Sequence, residues 1–531
     1  MKRSSAVALL MVLLVIAAAV RSFQLTDRSL WFDEAFSWRL IQFPTSEMIA
    51  RDAADVHPPL YYLLLKGWGL VFGTSLLALR SFSVLLSLMA ILMGYIFTAS
   101  AWRSRAVGLI AAALMAVAGW QIQYAWEARM YTLGIFLSLL TSWLLLHLVR
   151  TSQERRPISW LLAALYTISA AAFAYTHYFA FFTLAAHALF VAVVLIQRTR
   201  WRLGEMLQSH LLWVAASAAI LTVVLYIPWI PVFLAQNSQV QESYWVPAIG
   251  GWSIPDTFYR MLIPTSQTPQ HTGFPVILAA LPILVVISLW TWLVVACSSS
   301  VHSALADNQN KRSQASKQAR CEAAWLVMLS AAVPFVLAIL VSFVGQSLYQ
   351  DRFLVFTHVF ILIGIARLLA AIPATSARRI AVTAVIVVFA LLSVRFWQEL
   401  DVASKPGAHA ATQYIFRERN NDEPIFVSSP FVYFAIDHYA QEEFDFSADP
   451  TLLVSGQPSH FAGGPILTTQ DIIDPLVLDT LPAPAFWMVD TTGFGGAEMP
   501  VSSRWRSVDR QEFVEVFPYQ GHVIVHKYVR S

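Results

Sequence analysis

Trp31-Phe32-Asp33-Glu34-Ala35-Phe36-Ser37-Trp38 and Asp55-Val56-His57-Pro58-Pro59-Leu60-Tyr61-Tyr62 stand between two long apolar runs, near residues 5–22 and 79–101. About 20 apolar residues cross the hydrocarbon of a bilayer, at 1.5 Å of rise per residue. The two quoted stretches therefore belong to a polar loop between the first two spans of a membrane protein. Further runs follow near 106–123, 130–149, 158–175, 178–197, 211–233, 274–296, 323–345, 353–372 and 380–397, about eleven spans in all. The Pro58–Gly73 run is short and interrupted by Lys66, which suits a helix lying at the interface. Composition agrees: the 531 residues are 57% hydrophobic and 13% charged, about half the charge of a soluble domain.

Charge is unevenly placed along the chain. From Gln398 onward there are 8 Lys and Arg against 18 Asp and Glu, whereas the preceding part holds 27 against 14. This predicts a basic membrane domain, 1–397, followed by a small acidic domain, 398–531. With the N-terminus inside, the inner segments collect 16 basic residues against only Glu154, Glu205, Asp307 and Glu322. The positive-inside rule then puts the 23–58 loop and the C-terminal domain outside the cytoplasmic membrane. Met1–Val20 also reads as a cleavable signal segment, and that choice leaves the orientation unchanged. Two cysteines, Cys297 and Cys321, make no disulfide framework. The C-terminal domain shows strand-like runs at Pro424–Ser428, Ala485–Asp490 and His522–Tyr528 and a helical stretch at His409–Asn420, a small α/β domain.

Ten of the fourteen acids in the membrane part fall on the outer side, six of them between Asp27 and Asp55. Asp33 and Glu34 among aromatics form a candidate general base, since low dielectric and like charge separate the two pKa values. The structural alternative is an N-cap, with Asp33 opening a short helix. The double proline removes two N–H donors, so a helix begins only at about Pro59, with Asp55 and His57 ahead of it and Tyr61 and Tyr62 in its first turn. A carboxylate and an imidazole so placed are able to bind a divalent metal or a phosphate; an interfacial helix with an aromatic belt accounts for the tyrosines alone. Glu127, Arg129 and Tyr131 lie at the outer membrane edge, either as site residues or as a belt with a snorkelling arginine. His177 occupies a tight turn, and Asp351-Arg352 opens a span where an arginine opposes the helix dipole.

In this order the segments resemble the family 39 type of membrane glycosyltransferases, which have the C-type fold and include protein O-mannosyltransferases and lipid A aminoarabinose transferases. The resemblance rests on Leu30-Trp31-Phe32-Asp33-Glu34-Ala35 and His57-Pro58-Pro59-Leu60-Tyr61-Tyr62. It extends to Glu127-Ala128-Arg129-Met130-Tyr131, Thr176-His177-Tyr178-Phe179, Pro228-Trp229-Ile230-Pro231 and Asp351-Arg352-Phe353-Leu354. It covers roughly residues 1–400 and implies transfer of a sugar, with inversion, from a polyprenyl-phosphate carrier to a hydroxyl on a lipid, polysaccharide or protein. Asp33 is then the catalytic base and Glu34 its neighbour, with Arg129, Arg352 and Lys66 the candidates for the donor phosphate. Where some relatives have lysine before the double proline this chain has His57, which leaves phosphate pairing and metal binding both open there. Membrane lipids are expected partners and nucleic acid is not. The competing class is a transporter or lipid-carrier flippase, whose polar residues belong near the bilayer midplane.

Overall fold

A computed structural model describes residues 2–153, 160–266, 311–420, 422–444 and 450–531, with a few positions between 284 and 291. The expected span at 274–296 lies almost wholly outside the described residues, as do Glu154, Arg155, Arg156 and Asp307. The chain folds into two compact units.

The first unit takes in Met1–Arg21, Ser83–Trp126 and Met130–Val394. Among the described residues, eight helices are long and apolar enough to cross a membrane, Arg3–Ser22, Leu76–Ala101, Tyr131–Ser152 and Ala180–Thr199 among them. The protein is thus a multi-pass membrane protein. The run expected at 106–123 is broken into Arg105–Val117 and Gly119–Ala125, bent by 62°. Ala118 is extended there, and Ser393 Oγ donates to the Val117 carbonyl at 2.6 Å, satisfying an acceptor released by the break. Gly119 is required at this point, because a Cβ would come within 2.5 Å of Pro264. Within the 158–175 run the described residues form the helix Trp160–Ala174. Arg21 is fully buried, its guanidinium bonded to Ser87 Oγ at 2.8 Å and to the carbonyls of Ala116 and Met115 at 2.9 and 3.0 Å.

The second unit takes in Ser22–Phe82, Glu127–Arg129 and Arg395–Ser531. In this unit the loop after the first helix packs with the C-terminal region, through hydrogen bonds and ring contacts described below. The sheet has the order β3-β2-β1-β4-β6-β5, with β1 Ile425–Val427, β2 Thr451–Leu453, β3 Ile472–Ile473, β4 Ala485–Thr491, β5 Trp505–Val514 and β6 His522–Arg530. β3, β2, β1 and β4 are parallel, and β6 and β5 run antiparallel to their neighbours. Every residue of the central β4 is buried, and Phe426, Leu453, Phe486, Met488 and Trp505 form its core. The strand and helix runs read from the sequence are all present. β5 went unread, because as an edge strand it exposes most of its side chains and carries Arg506, Asp509, Arg510 and Glu512.

One buried carboxyl makes this unit sensitive to pH. Glu515 lies beneath Gly407, at the start of the Gly407–Glu418 helix, and accepts the Ala408 N–H at 3.0 Å. Gly407 has φ +53, and a Cβ there would collide with the Glu515 carboxyl. Burial pushes the Glu515 carboxyl up to about 7, against the opposing pull of the backbone N–H groups. The folded state thus keeps a proton that the unfolded chain sheds at a lower pH. Stability from this group is full below the ordinary carboxylate value and is lost as pH rises through about 7. Glu515→Gln is expected to match the wild type in thermal midpoint below about pH 4 and to exceed it at pH 8. The difference should be on the order of 3 kcal/mol, read by melting the purified chain across that range.

Candidate active site

The site residues drawn from the first loop lie in the second unit and grow from one short helix, Phe32–Gln42. Trp31 precedes it in extended conformation and no side chain caps it, so Asp33 is not the N-cap; both acids sit in the first turn, where a helix dipole favours negative charge. Successive residues on a helix point about 100° apart. The two carboxylates consequently face different surroundings.

Glu34 turns inward. It and Arg80 are both 0% exposed and meet in a bidentate pair, Arg80 Nε to Oε1 at 2.8 Å and Nη2 to Oε2 at 2.7 Å. The Ala128 N–H adds a third bond to Oε1 at 3.0 Å. Arg80 spends its remaining donors on the carbonyls of Leu25, Arg28 and Ser29 at 2.7, 2.8 and 3.2 Å. Burial alone would raise the Glu34 carboxyl, but Arg80 outweighs it and holds the group below the ordinary value. Glu34 is bound up in holding the loop, and Arg80 was hidden from the sequence reading because it opens an apolar run.

Asp33 faces the other way, 15% exposed, toward Arg129. Arg129 Nε stands 3.9 Å from Asp33 Oδ2, and Nη1 donates to the Asp33 carbonyl at 3.2 Å, Tyr62 Oη at 2.9 Å and Ser37 Oγ at 3.4 Å. Arg129 Nη2 lies 3.0 Å from His57 Nε2, and His57 Nδ1 lies 2.7 Å from Asp55 Oδ2. An arginine can only donate, so Nε2 accepts and the ring proton sits on Nδ1, donated to Asp55. Burial and then the Arg129 charge lower the His57 pKa, against the raising effect of Asp55. The result is a hydrogen-bonded chain from Asp55 through a neutral His57 to Arg129, which stands in an ion pair with the Asp33 carboxylate. Asp52 lies fully buried beside it, its carboxyl pushed well above the ordinary range by burial and then by Asp55.

The remaining residues of this unit support that chain. The helix after the double proline is Leu60–Phe72, opened by Pro59, with Tyr61 and Tyr62 buried in its first turn and their rings 5.7 Å apart. At 13 residues it is too short to span, and Leu70, Val71 and Phe72 are exposed at its end, as suits an interfacial helix. Lys66 Nζ donates to the carbonyls of Ile41 and Phe43 at 2.7 and 2.8 Å, closing the C-terminal end of the Phe32–Gln42 helix. Glu127 is buried, and its charge acts on Arg28 and Arg80. In the Asp55–His57 pair, Nδ1 is given to Asp55 and Nε2 to a guanidinium. Among the described residues no group of three or more His, Cys, Asp or Glu is placed to hold a metal.

Tyr131, His177, Asp351 and Arg352 belong to the first unit. Tyr131 packs on Tyr124 at 4.8 Å and lies 6.3 Å from the His177 ring. His177 Nδ1 accepts the Phe179 N–H at 3.1 Å, and its ring packs on Phe353 and Phe356. Asp351 pairs with Arg260 at 3.4 Å and accepts the Arg352 backbone N–H at 2.7 Å, while the Arg352 guanidinium lies over the Trp245 ring at 4.7 Å. Arg260 sits in the Ser253–Leu262 helix and was not singled out from the sequence.

A multi-pass helical body with a small α/β domain at its C-terminal end is the C-type glycosyltransferase fold. The same fold is found in crystal structures of ArnT from Cupriavidus metallidurans. The apo state superposes with a TM-score of 0.54 at 13% identity, over 98% of each chain. The form bound to undecaprenyl phosphate superposes at 0.54 and 12% identity, over 99% of this chain and 98% of that one. The archaeal oligosaccharyltransferase AglB from Archaeoglobus fulgidus follows at a TM-score of 0.45 and 13% identity, over 82% of this chain and 63% of that one. No protein-family model matches the sequence, and no curated protein matches it significantly.

The Glu34–Arg80 pair is expected to act on folding. Removing one partner strands a buried charge, at a cost of about 3–5 kcal/mol. Glu34→Gln should therefore melt well below the wild type, and the double variant Glu34→Gln, Arg80→Met should recover part of the loss. Additive losses in that cycle, measured by thermal unfolding of purified protein, would show that the two side chains are not coupled.

Proposed function

We propose that the chain is an inverting glycosyltransferase that moves a sugar from a polyprenyl-phosphate carrier to a hydroxyl acceptor on the outer side of the cytoplasmic membrane. The observation that carries this reading is the Asp33 carboxylate, partly exposed and fixed against Arg129 while its neighbour Glu34 is consumed by Arg80. A carboxylate so held is suited to take a proton from an incoming hydroxyl. The acceptor oxygen then bonds to the anomeric carbon, and the bond from that carbon to the phosphate oxygen breaks. The electron pair leaves with the polyprenyl phosphate, and attack from the opposite face inverts the centre. Arg129 is the phosphate candidate that stands beside Asp33, able to offset charge gathering on the leaving group. Lys66, bonded to two carbonyls, and Arg352, on its motif alone, are the further candidates.

The undecaprenyl phosphate held by one structure of the same fold supports a polyprenyl-phosphate donor. The charged cluster lies in the unit that contains the loop and the C-terminal domain, which supports a transferase over a transporter built on midplane polar groups. The positive-inside charge pattern supports a cytoplasmic N-terminus and an extracytoplasmic C-terminal domain. The sugar, hexose or pentose, and the lipid, polysaccharide or protein acceptor are to be named by mass spectrometry of the envelope from a deletion strain, where one glycan residue should be missing.

Asp33→Asn is expected to lower transfer about 10²–10⁴-fold with the chain still folded and inserted, since the amide keeps the volume and cannot take the proton. Near wild-type turnover would remove Asp33 from the role of base. Arg129→Ala should raise the half-saturating donor concentration, measured on purified folded protein, more than Arg129→Lys, because a lysine keeps the charge and loses only the paired N–H geometry.

A further inference from the structure

Outside the residues assigned above, a second charge cluster, two buried carboxylates and a part-buried arginine, meets the same helix. Arg39, in the last turn of Phe32–Gln42, donates from Nη2 to Asp471 Oδ1 at 2.8 Å and points Nη1 toward Asp437 Oδ2 at 3.8 Å. Asp437 and Asp471 are 1% and 4% exposed. Asp437 lies within the Pro430–Phe444 helix, and Asp471 just ahead of β3, where it also accepts Tyr433 O–H at 3.0 Å. Asp437 also accepts the Gln441 amide at 2.8 Å and Asp471 the Thr468 N–H at 2.5 Å, and the guanidinium between the two carboxylates offsets their charge. Burial opposes the charge on Arg39, and the two acids overcome that effect.

The Pro430–Phe444 helix grips the same segment at other points. Tyr439 Oη accepts the Leu30 N–H at 2.8 Å. The Trp38 ring meets His438 edge-on at 4.9 Å, and Phe32 packs on Phe431 and Phe434 at 5.0 and 6.2 Å. The contacts run from residue 30 to residue 39 and bracket Asp33. An isolated helix of 11 residues is marginal in water and has no orientation of its own. The Glu34–Arg80 pair pins one end. Arg39 pins a point about 7 Å further along, which removes the remaining freedom to tilt and roll.

We propose that Arg39, Asp437 and Asp471 are positioning residues for the transfer reaction, through which the C-terminal domain fixes the orientation of the Phe32–Gln42 helix and so the aim of the Asp33 carboxylate. The proposal rests on the reading of Asp33 as the base. None of the three acts on substrate. Their effect is geometric, and misplacement by about 1 Å is enough to cost a reaction about 100-fold. The domain therefore belongs to the catalytic apparatus even though its own motifs name no chemistry.

The test uses the purified full chain, polyprenyl-phosphate-linked sugar extracted from wild-type membranes, and deletion-strain envelope as acceptor. Arg39→Met is expected to lower the maximal rate by about tenfold or more, leave half-saturation by donor within about twofold, and speed amide hydrogen exchange across residues 32–42. Arg39→Lys should restore most of the rate. Should Arg39→Met fail to fold, the variant Arg39→Met, Asp437→Asn, Asp471→Asn removes all three charges together, and its rate should be reduced in the same way. A variant lacking Arg39 that transfers at the wild-type rate, or a rate loss without faster exchange in residues 32–42, overturns the proposal. A wild-type chain that transfers nothing sinks the transferase reading instead, and the exchange measurement still reports whether Arg39 orders the helix.

Discussion

The arrangement of the candidate site depends on a single buried ion pair, Glu34 with Arg80. Neither side chain is exposed, and the bond is bidentate. Such a pair gains little net stability over an apolar substitute, yet leaving either partner alone is costly. What it contributes here is placement. Arg80 gathers three carbonyls of the 25–29 segment, and Glu34 takes the Ala128 N–H, which brings Arg129 beside the first turn of the helix. With Glu34 committed inward, Asp33 has to point outward on the next face. Two adjacent acids thereby come to occupy unlike environments.

Around Asp33 the polar groups are ordered by donor and acceptor logic. Arg129 has only hydrogens to give, so His57 must accept, and Asp55 must accept from His57 in turn. The imidazole is thus kept neutral between a cation and an anion, and the guanidinium is held from two sides. This leaves Asp33 as the carboxylate of the chain with partial access to solvent. The C-terminal domain completes the constraint by holding the helix at Leu30, Phe32, Trp38 and Arg39. A site that needs its base fixed to within a fraction of an ångström benefits from such support on several sides.

Much of this was legible in the sequence, for identifiable reasons. Spans are written as runs of apolar residues, and the double proline marks the start of its helix within one residue. The aromatic-flanked Asp33-Glu34 and the order of motifs pointed to the loop after the first span. What stayed hidden were long-range pairings, since no local pattern distinguishes a structural acid from an accessible one. Glu34 and Asp33 are equivalent in the sequence until Arg80, 46 positions on, selects one of them. Lys66 reads as a free cation until the Ile41 and Phe43 carbonyls are seen beside it. The break at Ala118 and the polar edge strand β5 escaped because periodicity averages over a one-residue interruption and favours buried strands.

The most direct test is a structure of the full chain bound to a polyprenyl-phosphate sugar analogue in which a methylene replaces the oxygen between the anomeric carbon and the phosphate. With a base-to-oxygen distance of about 3 Å and an attacking distance of about 3 Å, the anomeric carbon should lie about 5–6 Å from the Asp33 carboxylate. The space between them should be open to a hydroxyl, and the Asp55–His57–Arg129 chain should remain intact. A sugar bound with its anomeric carbon beyond about 10 Å from Asp33, too far for one hydroxyl to bridge, would contradict the account.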